Sequence, residues 1–104
     1  MSEKLYNAIL EQQGDLLYTT LSEECSELIQ ACSKIQRKKY YNADINPCLD
    51  NLFEEICDVE LNLELIKRQI LLEKDVNLTR QDIDFKIKQW EKIKNEKISK
   101  IFLK

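Results

Sequence analysis

Residues 17–35 read LYTTLSEECSELIQACSKI, and this stretch decides the fold. Its apolar side chains recur at steps of three and four residues, which is the spacing of one face of an α-helix. They are Leu17, Leu21, Cys25, Leu28, Cys32 and Ile35. A stripe of this length predicts a long amphipathic helix that buries one face against other helices.

The chain around this stretch has the composition of a helical protein. Its 104 residues include one glycine and one proline, whereas β-rich folds need many turn residues. Hydrophobic residues make up 43% of the chain and charged residues 34%, which is typical of a globular protein rather than a disordered one. We therefore predict an all-α fold in a single domain that spans residues 1–104.

Turn and capping signals divide the chain into four helices. Gly14 ends the first helix, and Asn46-Pro47 is typical of an N-cap followed by proline at the first helical position. Thr79, with Asp82 three residues later, resembles a capping box. Short connections between long amphipathic helices favour an antiparallel four-helix bundle. The helices are predicted at about residues 3–13, 16–39, 46–73 and 79–104.

The residue types that are missing exclude several kinds of chemistry. A single glycine excludes a glycine-rich phosphate-binding loop. The absence of histidine excludes Ser-His-Asp and Cys-His catalysis and every zinc site that needs an imidazole. The four cysteines form no C-x-x-C pair, which argues against a zinc ribbon or a thioredoxin motif. With 19 acidic residues in the chain, carboxylates are the first candidates for any chemistry.

Charge is unevenly distributed along the chain. Residues 1–78 carry 15 acidic and 8 basic side chains, and residues 79–104 carry 4 acidic and 8 basic ones. Because the lysines are spread along the last helix and the whole chain is acidic, we expect this helix to complement an acidic body or a partner subunit rather than nucleic acid. No stretch approaches the length of a membrane span, and the amino terminus has no apolar leader. We therefore expect a cytoplasmic protein with no membrane partner.

Two of the long helices each carry a pair of carboxylates at spacing i, i+3 beside the apolar stripe. Glu24 and Glu27 lie on the shoulder of the second helix, and Glu55 and Asp58 on that of the third. If the shoulders face each other, four carboxylates converge and repel strongly unless a cation lies among them. Oxygen ligands of this kind suit Mg²⁺ or Mn²⁺. A solvated acidic surface remains the alternative, because most such pairs lie on solvated helix faces.

The apolar stripe of the third helix runs along its whole length. We predict that this stripe is the buried face of the helix. It consists of Leu49, Leu52, Phe53, Ile56, Val59, Leu63, Ile66 and Ile70.

The residues around both carboxylate pairs resemble a known family. Residues 21–31, LSEECSELIQA, and residues 51–60, NLFEEICDVE, look like the E-x-x-E … E-x-x-D signature of the MazG-like, all-α nucleoside triphosphate pyrophosphohydrolases. The resemblance extends from about residue 7 to residue 95 and is closest to the small single-domain branch. It implies a MazG-type four-helix fold that is completed by oligomerisation, as a homodimer or homotetramer.

The resemblance also implies an activity and roles for individual residues. The family hydrolyses a nucleoside triphosphate between its α- and β-phosphates, giving the monophosphate and pyrophosphate. The four carboxylates named above would hold Mg²⁺, with Mn²⁺ as an alternative. Glu23 or Glu27 would activate the attacking water. Lys34, Lys38 and Asn62 would contact the substrate, with solvated basic residues near a helix carboxyl terminus as the alternative for the two lysines.

Two other classes of function remain open from the sequence. The same helical fold could bind a nucleotide or a partner protein without turnover, or the basic last helix could bind nucleic acid. Metal-dependent pyrophosphate release that is lost in Glu24→Gln or Asp58→Asn distinguishes the enzyme from the binding module. Salt-sensitive nucleic-acid binding that survives loss of the carboxylates would indicate the third class.

Overall fold

The computed structural model describes residues 1–103 of the chain. Over these residues the protein is all-α, with no β-strand, and the predicted fold class is confirmed. The chain divides into two compact units, Met1–Gln69 and a second that begins at Ile70. The four helices are α1 (Glu3–Gln13), α2 (Leu16–Tyr40), α3 (Asn46–Ile70) and α4 (Arg80–Phe102).

Helix boundaries differ from the prediction mainly around α3. The helix ends at Ile70 instead of near residue 73, and the turns that follow include Asp75 in the left-handed region at φ 67°. At its start, Asp44 does the capping that the sequence assigned to Asn46. The Asp44 Oδ1 atom accepts hydrogen bonds from the Asn46 backbone N–H at 3.0 Å and side-chain amide at 2.8 Å, and these bonds lower the pKa of Asp44.

The core of the first unit lies where α1 meets the start of α2 and the end of α3. Leu17, which is 2% exposed, is its most buried large side chain. Gly14 makes the tight connection between α1 and α2 with φ 48° and ψ −124°, a backbone conformation that favours glycine. The cluster consists of Tyr6, Leu10, Leu17 and Leu65, with Ile9 and Ile66 packed against it.

Arg68 closes this core by tying α3 to α1. Its guanidinium lies 3.8 Å above the ring of Tyr6 and donates two hydrogen bonds to the carboxylate of Glu3, at 2.7 and 2.9 Å. Its Nε atom donates a third, at 2.8 Å, to Glu64 on the same helix. The fork geometry and the stacking together hold α1 against the end of α3.

The apolar stripe of α3 is not the buried face that the sequence predicts. Phe53 is 58% exposed and Leu63 is 45% exposed, and Ile56 is also exposed. The reason is that α3 turns its carboxylates toward α2, which leaves the apolar stripe on the opposite side of the helix. We call these three residues, with the half-buried Leu52 beside them, the outer stripe of α3.

The second unit is built around α4. Thr79 and Asp82 form the predicted capping box: the Thr79 hydroxyl accepts from the Asp82 backbone N–H at 3.2 Å, and the Asp82 carboxylate accepts from the Thr79 backbone N–H at 2.8 Å. Ile83 is the buried residue of this helix, whereas Ile87 and Trp90 are exposed. Within residues 1–103, no helix combines the length and apolarity that crossing a membrane requires.

Candidate metal centre

Four carboxylates from α2 and α3 converge in the first unit. Glu24, Glu27, Glu55 and Asp58 each offer one oxygen, and these four oxygens lie within 4.8 Å of one another. Three of the side chains are half-buried, and Glu27 is exposed. The structure therefore brings together the two acidic pairs that the sequence singles out.

The helix repeat explains why the carboxylates meet. Glu24 follows Leu17 by seven residues and Asp58 precedes Leu65 by seven, and seven residues are close to two helical turns. Leu17 and Leu65 share the core cluster. The positions two turns further along the same two helix faces therefore bring the acidic residues opposite each other. The sequence places them on the shoulders of apolar stripes, whereas the structure places them on the surfaces through which α2 and α3 face each other.

Burial makes this cluster electrostatically costly without a cation. One oxygen of Glu24 and one of Glu55 are buried and have no hydrogen-bond partner within the described part of the chain. Burial, followed by the negative charges of Glu27 and Asp58, raises the pKa of Glu24. Burial also raises the pKa of Glu55, and the adjacent Glu27 and the charge of Asp58 raise it further. Repulsion of this kind is relieved by a bound cation.

The donor set fits a hard divalent cation. Mg²⁺ binds oxygen ligands at about 2.1 Å, so opposite oxygens in its coordination shell are about 4.2 Å apart. The four oxygens all lie within 4.8 Å of one another, and the two buried carboxylate oxygens without hydrogen-bond partners are available as ligands. Because the cluster holds no nitrogen or sulfur ligand, it favours Mg²⁺ or Mn²⁺ over zinc or copper.

A cleft of about 500 Å³ adjoins the carboxylates in the same unit. Lys34 and Arg37 supply its positive charge, and no carboxylate among residues 1–103 pairs with either of them within 4.0 Å. The cleft can therefore accept an anion next to the carboxylate cluster. Its lining consists of Glu27, Gln30, Ala31, Lys34, Arg37, Asn51 and Glu55.

The other predicted site residues lie in different places. Lys38 does not line this cleft, and its charge lowers the pKa of Asp44 instead. Glu23 is exposed and outside the group of four, although its charge contributes to the raised pKa of Glu24. Of the two predicted substrate-binding lysines, the cleft thus includes Lys34 alone.

Asn62 borders a second cleft, of about 370 Å³, which α1 helps to form. Its side-chain amide donates a hydrogen bond to the backbone oxygen of Asp58 at 2.8 Å. This cleft lies toward the core end of the carboxylate cluster, because Asn62 is one turn beyond Asp58 and Thr20 one turn before Glu24. Its other lining residues are largely apolar: Leu5, Ala8, Ile9, Gln12, Gln13, Leu17 and Leu65.

Arg37 and Gln30 line the cleft, although neither is among the site residues predicted from the sequence. The signal was present, because steps of three and four residues from Glu27 lead to Gln30, Lys34 and Arg37 on one face of α2. Lys38, eleven residues after Glu27, is the predicted contact, whereas Arg37, ten residues after Glu27, lines the cleft.

Comparison with family models, with curated proteins and with solved structures finds no match for this chain. The resemblance to MazG-like proteins therefore rests on the residues quoted above.

Proposed function

We propose that this protein is a Mg²⁺-dependent nucleotide pyrophosphohydrolase, which cleaves a (d)NTP between its α- and β-phosphates to give the (d)NMP and pyrophosphate. The observation that carries the proposal is the convergence of four carboxylates beside a cleft that contains two unpaired cations. This pairing suits a polyanion that binds together with a divalent cation.

The proposed role of each residue follows from its position in the site. Glu24, Glu27, Glu55 and Asp58 would hold the metal ion. When bound, Mg²⁺ would neutralise the charge of the phosphates and lower the pKa of a coordinated water.

Lys34 and Arg37 bind the phosphate chain in the cleft. The guanidinium of Arg37 can donate two parallel hydrogen bonds to phosphate oxygens, whereas Lys34 acts as a compact positive charge. Positioning of this kind accounts for much of the catalysis of phosphoryl transfer.

Glu27 is the side chain best placed to take the proton of the attacking water. It is the exposed member of the four and it also lines the cleft, so one oxygen can face the cluster while the other accepts a proton. As Glu27 takes its proton, the water oxygen bonds to the α-phosphorus, the bond from that phosphorus to the oxygen bridging the α- and β-phosphates breaks, and pyrophosphate leaves. Glu23, which lies outside the group of four, is the second candidate for this role.

We also propose that the enzyme acts in the cytoplasm, as a homodimer or homotetramer, on soluble nucleotides. Neither the base nor the sugar of the substrate is specified by the carboxylates or by the two cations.

The test is pyrophosphate release across a panel of canonical and modified NTPs and dNTPs, with Mg²⁺, with Mn²⁺ and with EDTA. We expect metal-dependent turnover that falls by about 10²- to 10³-fold in Asp58→Asn. Asp50→Asn is the matched control, because Asp50 is an exposed aspartate on the same helix outside the cluster. Its activity should equal that of the unaltered protein.

Glu24→Gln provides a second variant in case Asp58→Asn folds poorly. Turnover that persists in both variants, or in EDTA, contradicts the proposed metal site. If folded protein binds Mg²⁺ and nucleotide but releases no pyrophosphate from any substrate, the chain is a binding module and the enzymatic proposal is wrong.

A further inference from the structure

A third cleft, of about 370 Å³, lies further along α2 than the cleft beside the carboxylates. We call it the tyrosine cleft, and its lining consists of Ser33, Gln36, Arg37 and Tyr40. Arg37 also lines the cleft beside the carboxylates. A ligand that Arg37 binds in one cleft can therefore continue into the other.

An exposed aromatic ring lines the tyrosine cleft at its far end. Tyr40 is 80% exposed, and its ring meets that of Tyr41 edge to face, with 5.0 Å between the ring centroids. In a T-shaped pair each ring keeps at least one face free of the other ring. Such a face, next to a guanidinium, is a surface on which a nucleobase stacks.

The charge around the two clefts on α2 is positive. Residues 28–43 contain four cations and no carboxylate, and Lys34 and Arg37 are the two that line clefts. This charge favours a chain of phosphates from the carboxylate cluster as far as Arg37. The exposed carboxylates of Asp44 and Asp50 follow the tract, which disfavours a longer polyanion such as nucleic acid.

We propose that the substrate carries a second nucleoside on its terminal phosphate and that the base of this nucleoside stacks on Tyr40. The chemical class is a dinucleoside polyphosphate. Its placement rests on the proposed function, in which Lys34 and Arg37 bind the phosphates beyond the α-phosphate. Arg37 then holds the last phosphates where the two clefts meet, and a nucleoside bonded to them enters the tyrosine cleft.

Helix geometry gives the distance that such a ligand spans. Tyr40 follows Glu27 by thirteen residues, which corresponds to about 20 Å along the helix axis. Long side chains lean toward the amino terminus of a helix, and this shortens the span. A triphosphate whose α-phosphate lies at the carboxylates has no group left to fill the tyrosine cleft, whereas a fourth phosphate and a second nucleoside extend the ligand to Tyr40.

The bond that breaks is the same as in the proposed reaction. The water oxygen bonds to the α-phosphorus, its proton passes to Glu27, and the bond from that phosphorus to the α–β bridging oxygen breaks. A nucleoside monophosphate forms as before. With a dinucleoside tetraphosphate the leaving group is a nucleoside triphosphate in place of pyrophosphate.

The first experiment compares two substrates that differ only beyond the third phosphate. One is the best NTP of the panel above, and the other is the same NTP extended at its terminal phosphate by adenosine monophosphate. We expect kcat/KM to be at least about 10-fold higher for the extended substrate, with ATP as the leaving group. Tyr40→Ala should lower kcat/KM for the extended substrate to that for the NTP, as measured by chromatography of the products.

Tyr40→Phe and Tyr41→Ala are the matched controls. The first keeps a ring for stacking, and the second removes an exposed tyrosine that does not line the tyrosine cleft. Both should keep the preference for the extended substrate. Equal kcat/KM for the two substrates, or a preference that survives in Tyr40→Ala, overturns the second-nucleoside site, while turnover of the NTP leaves the proposed function intact.

The second experiment measures binding and does not depend on turnover. ATP and its adenosine monophosphate extension, each with a methylene group between the α- and β-phosphorus atoms, are titrated into the full chain with Mg²⁺ in a calorimeter. The extended analogue should bind at least about 10-fold more tightly and lose this advantage in Tyr40→Ala. That result without turnover of any substrate would mean that the proposed function is wrong and the second-nucleoside site is right.

Two binding results would contradict the second-nucleoside site. One is equal affinity for the two analogues. The other is a single-stranded oligonucleotide that binds more tightly than the extended analogue and loses its binding in Tyr40→Ala, because nucleic acid would then be the ligand of the tyrosine cleft.

Discussion

Two levels of the first unit use the same faces of α2 and α3 in opposite ways. At one level Leu17 and Leu65 belong to the packed core with Tyr6 and Leu10. Two turns along, Glu24 and Asp58 occupy the equivalent positions and bring carboxylates together. We call these the core level and the carboxylate level.

Packed apolar side chains and clustered carboxylates are therefore separated along one pair of helices. The core level excludes water and is closed by the hydrogen bonds of Arg68, so it can hold α2 and α3 together without a ligand. The carboxylate level buries oxygens that have no partner in the described chain, and it therefore opposes the packing that the core level enforces. The two levels should therefore respond differently to substitution, to a divalent cation and to pH.

The largest effect is expected from a cavity at the core level. Leu17→Ala should lower the free energy of unfolding by about 2–5 kcal/mol, because Leu17 is 2% exposed and its removal leaves a void. Leu16→Ala is the control. The Leu16 side chain is 61% exposed, and we expect its removal to change the free energy of unfolding by no more than about 0.5 kcal/mol. Urea denaturation followed by circular dichroism measures both. Equal losses in the two variants would mean that this level is not the core.

A smaller effect is expected from a divalent cation at the carboxylate level. At a concentration 100 times its dissociation constant, Mg²⁺ should raise the free energy of unfolding by about 2.7 kcal/mol. The increment should vanish in Asp58→Asn and persist in Asp50→Asn and in Leu17→Ala, as measured by denaturation with and without EDTA. An increment that survives in Asp58→Asn would place the cation elsewhere.

The smallest effect is a pH dependence of opposite sign at the two levels. Hydrogen bonds from Arg68 lower the pKa of Glu3, so that group stabilises the fold above its ordinary value of 4.5 and loses this contribution as the pH falls through its lowered pKa. Burial raises the pKa of Glu24, so its charge destabilises the metal-free fold at neutral pH and the penalty is relieved as the pH falls toward 4.5.

Denaturation of Glu3→Gln and Glu24→Gln in EDTA from pH 7 to pH 3 tests both directions. Glu3→Gln should be less stable than the unaltered protein at neutral pH, and Glu24→Gln should be more stable. Both differences should shrink as the solution is acidified. A difference of the same sign in the two variants would contradict the separation of the levels.

The fold class and most helix ends could be predicted because they depend on local signals. Gly14 and the pair Thr79 and Asp82 act within a few residues of themselves, and the structure uses each as the sequence indicates. The start of α3 was harder to predict, because Asp44 and Asn46 are both residue types that cap helices. Which of them caps α3 depends on how the connection from α2 folds.

The spacing of the carboxylates was visible in the sequence, but the direction in which α3 faces was not. Periodicity shows that Phe53, Ile56 and Leu63 share one side of the helix, and burial is the usual inference. It cannot show whether that side meets the same chain or another one. The position of Glu55 and Asp58 toward α2 depends on how Leu65 packs against α1 and α2, which is a long-range contact.

The alternation of levels along α2 and α3 also bears on motion. Local opening requires the least free energy where few apolar contacts are lost, and at the carboxylate level the groups that meet between the helices include four carboxylates. Amide hydrogens near Glu24 and Asp58 should therefore exchange with solvent faster than those near Leu17 and Leu65. A bound cation would slow this exchange, so the two helices would open locally at the carboxylate level only while the site is empty. A ligand could enter the site during such openings.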